Sequence, residues 1–169
     1  MQSLKNNLKS KLQGGKRIAV LGIGSELICD DACGMLVARR LQDSTVLKKN
    51  KNFRVFLGST SPENLTGEIK KFKPSHLIII DAADFKEKPG SVHFIESKDI
   101  DGVSFSTHRL PTSILSDYLI KSINCKICVI GIQPKSLDFC APVSAKIKET
   151  AKELFLAIKD TIINSVESQ

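Results

Sequence analysis

The sequence predicts an α/β domain, a three-layer α/β/α arrangement around a mostly parallel, five-stranded twisted sheet. Three observations carry that reading. Strand-like and helix-like segments alternate along the chain, with no internal repeat or linker among them. Leu77, Ile78, Ile79 and Ile80 form an aliphatic run, three of them β-branched, as expected of a central parallel strand covered on both faces. Ile147, Ala151, Leu154, Ile158 and Ile162 mark one apolar stripe along a C-terminal helix, which needs a sheet face to cover it.

Each element has its own signal. Leu4, Leu8 and Leu12, at i, i+4 and i+8, predict a short amphipathic helix within residues 1–15, ended by Gly14-Gly15. Residues 17–21 (RIAVL) read as a buried strand closed by Gly22-Ile23-Gly24. Asp30 is placed to cap a helix over 31–42, with Arg39 and Arg40 opposing the dipole of its last turn. Residues 53–57 form a second strand. Ser61-Pro62-Glu63 opens a helix running to about residue 73, with proline at its first position. After the strand at 77–81, Pro89-Gly90 turns the chain into 91–96, where Val92 and Phe94 alternate with polar residues as on a half-covered edge strand. Pro111 opens a helix to about 123, and 126–132 is the last strand. Residues 1–16 are read as a basic N-terminal extension of a single domain over 17–169.

Composition narrows the function classes. A chain of 169 residues suits one domain, and 41% apolar with 25% charged residues excludes a disordered or fibrous protein. The formal charge is +7, but Trp is absent and Tyr118 is the single tyrosine, so base stacking has little to work with. No basic helix carries a nucleic-acid recognition motif, and the lysines read as solvated faces; no nucleic-acid partner is expected. Cys29, Cys33, Cys125, Cys128 and Cys140 are odd in number and several adjoin apolar runs, as reduced thiols do. No apolar stretch approaches the ~20 residues of a membrane span, and the first residues lack a signal-peptide apolar region. The expectation is a soluble cytoplasmic protein without membrane insertion.

Ligands of open α/β sheets sit beyond the carboxyl ends of the strands, and three segments there are unusual. They are 22–34 (GIGSELICDDACG), 81–84 (DAAD) and 106–111 (STHRLP). Gly22 and Gly24 after a strand suggest a dinucleotide turn, but position 27 is Leu where a third glycine is needed. Asp30 and Asp31 would also set carboxylates where a pyrophosphate should dock, anion against anion. Carboxylates suit a cation instead: Asp31, Asp81 and His108 could converge on one divalent metal, a donor set that nickel, zinc or cobalt accepts. Taken singly, Asp30 also reads as a cap, Asp81 as a turn residue closing a strand, and His108 as a surface histidine. His76 and His93 do not fall at carboxyl ends and read as structural or solvent-facing. A four-thiolate site from Cys29, Cys33, Cys125 and Cys128 lacks a zinc ribbon's spacing. A Cys–His nucleophile from Cys29 or Cys140 with His108 is equally weakly marked.

Taken together, IAVLGIGSELICDDACG, SPEN, HLIIIDAADFKEKPGSV, STHRLP and VIGIQPKSLDF resemble the hydrogenase maturation endopeptidases, in order and across nearly the whole chain from Arg17. Gly131-Ile132-Gln133-Pro134 looks like the subgroup that serves hydrogenase-3-like enzymes. The resemblance implies an aspartic-type endopeptidase that removes the C-terminal extension of a [NiFe] hydrogenase large-subunit precursor after nickel insertion. It implies Asp31, Asp81 and His108 as metal ligands that recognise nickel in the substrate, while other divalent cations would fit the set in the free protein. Asp31 and Asp81 become the catalytic carboxylates, the simplest chemistry being a general base acting on metal-polarised water. Asp30 is then a supporting or capping group beside Gly22 and Gly24. Two positions depart from the family pattern: Ser25 replaces an asparagine, and Leu57 stands where the second strand usually ends in aspartate. Asp84 or Glu63 would be the nearest substitutes. Leu57 is also the best argument for an alternative, a non-cleaving nickel-checkpoint protein or metallochaperone.

Overall fold

The computed structural model describes residues 2–95, 104–105 and 112–167. The elements run α1 (Gln2–Lys11), β1 (Ile18–Ile23), a 3-10 turn (Cys29–Ala32), α2 (Cys33–Asp43), α3 (Thr45–Lys48) and β2 (Phe53–Ser59). They continue with a 3-10 turn (Pro62–Leu65), α4 (Thr66–Phe72), β3 (His76–Asp84), β4 (Val92–Ile95), β5 (Ser104–Phe105), α5 (Thr112–Ile123), β6 (Lys126–Ile132) and α6 (Ala145–Glu167). The strands lie in the order β2-β1-β3-β6-β4, and the two-residue β5 pairs with the end of β3. β1, β2, β3 and β6 are mutually parallel, while β4 runs antiparallel on β6 as the edge strand. The α/β class with helices on both faces of the sheet is therefore as predicted.

Strand alternation divides the core into two layers. Ile18, Val20, Ile78, Ile80 and Ile130 face Val37, Leu41, Ile147, Leu154 and Ile158 of α2 and α6. Ala19, Leu21, Leu77, Ile79 and Val129 face Ile69 and Phe72 of α4 and Leu115 and Leu119 of α5. Every residue of the predicted C-terminal stripe is buried. β3 is covered on both faces, which accounts for its unbroken aliphatic run.

Several boundaries differ from expectation. The helix expected over 31–42 starts at Cys33, because residues 29–32 first make a 3-10 turn. Asp30 does not cap it; its carboxylate is engaged by a loop more than a hundred residues away. The helix expected from Pro62 is a 3-10 turn followed by α4, which ends at Lys73 in a left-handed conformation (φ 51°). The single-turn α3 and two-residue β5 were not foreseen. In the 1–16 segment, Leu8 of α1 and Leu12 just after it pack in the layer shared with α6, and Lys5 pairs with Asp160 at 2.6 Å. No helix among the described residues is long and apolar enough to cross a membrane.

Candidate functional site at the carboxyl end of the sheet

The N-terminus of α2 is pressed onto the ends of β1 and β3, and glycine makes that approach possible. A Cβ on Gly34 would lie 2.2 Å from the Ile80 carbonyl oxygen and 2.3 Å from that of Ile23. Gly22 similarly admits Ala38, whose Cβ would be 2.5 Å away. Gly24 takes a φ of +131°, and any Cβ there would meet the Asp31 carbonyl oxygen at 1.9 Å. Gly22 and Gly24 thus shape the turn that carries residues 25–32 over the strand ends.

On this turn Asp30 and Asp31 are both inaccessible to solvent, as is Asp81 at the end of the parallel part of β3. Asp31 Oδ2 accepts the Ser25 amide at 2.7 Å, which ties the turn to itself. Asp81 lies opposite Gly131 in the β3–β6 register, and its Oδ1 accepts the Ala82 amide at 2.8 Å. The two charges meet at Cys33. Burial pushes that thiol well above its ordinary pKa, and the negative charges of Asp81 and then Asp31 push it further. Cys33 is therefore an inert thiol rather than a nucleophile. Asp81, Asp31 and, more weakly, Asp30 thus all act electrostatically on this one buried thiol.

Asp30, whose charge also acts on Cys33 but less than those of Asp81 and Asp31, is held by partners of its own. Oδ2 accepts the Lys135 amide (2.8 Å), the Ser136 amide (3.2 Å) and the Ser144 hydroxyl (3.0 Å), while Oδ1 accepts the Ser144 amide (2.7 Å). Burial alone would raise its pKa, but these donors outweigh burial and hold it below the ordinary 3.8. Asp30 is the anchor of the β6–α6 loop.

His108, the third expected ligand, lies outside the described residues, as do Thr107 and Arg109. Among the described residues no three His, Cys, Asp or Glu side chains gather as a metal-type cluster. The other histidines are elsewhere: His76 is buried at the amino end of β3, and His93 contacts Glu87 at 2.9 Å on the edge strand. The four-thiolate alternative fails on geometry, because Cys125 and Cys128 pack into opposite layers of the core. Burial also pushes the Cys125 thiol up to about 11. Cys29 is likewise raised, by burial and then by the Asp30 charge.

Leu57 pairs in register with Gly22, so the position that departs from the family pattern adjoins the end of β1. Asp84, one of the expected substitutes, is exposed at the end of β3, where its Oδ1 accepts the Lys86 amide and the Gln133 side-chain nitrogen. Gln133 went unassigned in the sequence although it lies in the Gly-Ile-Gln-Pro segment. Nearly buried, it accepts the Phe85 amide at 2.7 Å and joins the ends of β3 and β6. Ser144, the other unassigned residue, carried no local signal. A groove of about 470 Å³ follows β2, with Leu41, Leu47, Phe53, Val55 and Leu57 in its lining, and neither Asp31 nor Asp81 lines it.

Comparison with known proteins gives this geometry a context. The family model HycI, hydrogenase maturation protease, matches residues 35–161. A Methanocaldococcus jannaschii protein named for the same activity is 38% identical over 168 residues, 97% of this chain and 96% of that protein. The hydrogenase 3 maturation protease of Escherichia coli K12 is 29% identical over 137 residues, 80% of this chain and 85% of its own. The crystal structure of the [NiFe] hydrogenase maturation protease HycI from Thermococcus kodakarensis superposes with a TM-score of 0.84 at 32% identity, covering 92% of this chain and 97% of that one. This chain belongs to the HycI family of hydrogenase maturation proteases.

Proposed function

We propose that this protein removes the C-terminal extension of a [NiFe] hydrogenase large-subunit precursor once nickel has been inserted, and that it reads the nickel through Asp31, Asp81 and His108. The observation that carries the reading is the pair of buried carboxylates, Asp31 and Asp81, whose charges bear jointly on Cys33 at the strand ends. Burying two like charges together opposes folding, and such arrangements concentrate at functional sites. Two carboxylates and an imidazole form a donor set that suits a first-row divalent cation carried in by the substrate.

In the cleavage step, one of the two carboxylates takes a proton from the attacking water. The water oxygen bonds to the scissile carbonyl carbon, the C–N bond breaks, and the proton passes to the departing amine. Asp31, Asp81 and His108 would hold the precursor's nickel, which would supply the polarisation of that water and make cleavage conditional on metal insertion. Asp30 holds the neighbouring loop and takes no part in proton transfer.

A second reading, a checkpoint protein that binds loaded precursor without cutting it, draws on Leu57 beside Gly22. Intact mass of the precursor, nickel-loaded and nickel-free, after incubation with this protein separates the two. Loss of the C-terminal tail in the loaded sample alone is the expected result. Tight binding of loaded precursor with its mass unchanged would favour the checkpoint, and equal cleavage of both samples would remove nickel from the account.

A further inference from the structure

The seven-residue β2 ends the strand order, so one of its two edges meets no other strand among the described residues. Its inner edge is fully used. The Ile18 amide donates to the Asn52 carbonyl at 2.8 Å, and the parallel register sets Ile18 beside Phe53. In a parallel ladder alternate residues of a strand turn both N–H and C=O to the same neighbour, so Asn52, Arg54 and Phe56 bond to β1. Phe53, Val55 and Leu57 turn theirs outward. The Phe53 amide is taken by the Asn50 carbonyl at 3.1 Å, whereas the Val55 and Leu57 amides meet no partner among the described residues. The groove of about 470 Å³ runs along this edge and is walled from both layers of the core, by Leu41 and Leu47 on one side and Phe56 and Leu65 on the other. One concave surface therefore joins a row of unpaired backbone groups to apolar walls, the arrangement that accepts an added strand.

Charge selects among occupants. Residues 44–62 contain no acidic side chain, while Lys48, Lys49, Lys51 and Arg54 crowd the amino end of β2, all four exposed. Glu68 pairs with Arg54 at 3.3 Å and Asp43 with Lys48 at 3.7 Å, so two carboxylates answer four cations. We propose that the β2 groove binds an extended acidic segment of a partner polypeptide, laid along Val55 and Leu57 as an additional strand. Its apolar side chains would lie between the walls and its carboxylates toward Lys49 and Lys51. A second copy of this chain would bring like charge to the contact, and basic side chains at a sheet edge discourage self-pairing. The surface needs neither Asp31 nor Asp81, so it stands or falls apart from the cleavage proposed above.

The probe is an end-blocked peptide of about eight residues in which valine alternates with glutamate, with a control of the same length carrying lysine for glutamate. Each is added to the full chain while amide hydrogen exchange is followed residue by residue. The expected result is exchange slowed about tenfold or more at Val55 and Leu57 by the glutamate peptide, with Phe56, already bonded to β1, unchanged. The Lys49→Glu/Lys51→Glu variant changes two exposed side chains, so it should keep the wild-type unfolding midpoint and bind the glutamate peptide about tenfold more weakly. No slowing at Val55 and Leu57 overturns the proposal, as does equal slowing by the lysine peptide or undiminished binding by the variant. Slowing that grows with protein concentration in the absence of peptide would assign the edge to a second copy and overturn it too.

Discussion

At the amino end of the sheet, the Ser75 hydroxyl accepts the Lys16 and Arg17 amides at 2.9 and 3.1 Å and lies 3.0 Å from the Arg17 carbonyl oxygen. At the carboxyl end, Asp30, Asp31 and Asp81 are three acidic side chains removed from solvent. Burial, and then the Lys126 charge, push the His76 pKa below its ordinary 6.5. The Ser75 bonds stitch the chain's entry into β1 and β3, while the buried Arg17 Nε and His76 Nε2 have no hydrogen-bond partner among the described residues. At the carboxyl end the Asp30 carboxylate is engaged by backbone donors of a distant loop, and Asp31 and Asp81 accept the Ser25 and Ala82 amides. Buried carboxylates gathered at strand ends are a frequent mark of functional sites, which is the contrast the proposed function draws on.

The largest effect that should sharpen this contrast is steric. Gly34→Ala puts a Cβ against two carbonyl oxygens that cannot both retreat, so urea unfolding should show a loss of about 3 kcal/mol or more, or no folded protein. Next, Asp30→Asn keeps the shape but removes the ionised acceptor of four hydrogen bonds, costing about 2–3 kcal/mol in the same measurement.

Two of the depressed pKa values, those of Asp30 and His76, bear on the two ends of the sheet. The Asp30 pKa is lower folded than unfolded, so its contribution is complete above pH 3.8 and is lost as pH falls through the folded value. Asp30→Asn should shrink that acid arm, leaving the part owed to the lowered carboxyls of Glu26, Asp84 and Glu87. For His76 the depressed pKa makes protonation oppose folding: stability is full above pH 6.5 and declines below it, and His76→Gln should flatten this limb. Ser75→Ala should cost about 1–2 kcal/mol and leave precursor processing unchanged. Smallest of all, Lys5→Ala breaks a part-exposed ion pair with Asp160 and should cost under about 1 kcal/mol, less at high salt.

Local pattern made much of the fold legible. The last strand occupies 126–132 as read from its aliphatic run, and the C-terminal helix buries the stripe that marked it. Legibility failed where long-range contact overrode a local signal. Asp30 before a helical pattern looks like a cap, but its partners at 135, 136 and 144 come into range only after the sheet has formed. α3 and β5 are too short for periodicity to register. Within the candidate site, Asp31 and Asp81 stood out because acidic residues beyond strand ends cannot serve phosphate. Ser144 carried no such signal, since a serine before a helix reads as an ordinary cap.

The most direct measurement sets two neighbouring residues against each other. Nickel-loaded large-subunit precursor is incubated with wild type, Asp30→Asn and Asp31→Asn, and its intact mass is followed while unfolding midpoints are recorded. The account predicts that Asp31→Asn folds within about 1–2 kcal/mol of wild type yet leaves the precursor at full length, whereas Asp30→Asn takes the greater loss of stability. Processing at the wild-type rate by Asp31→Asn would contradict the assignment of chemistry to the carboxyl end of the sheet.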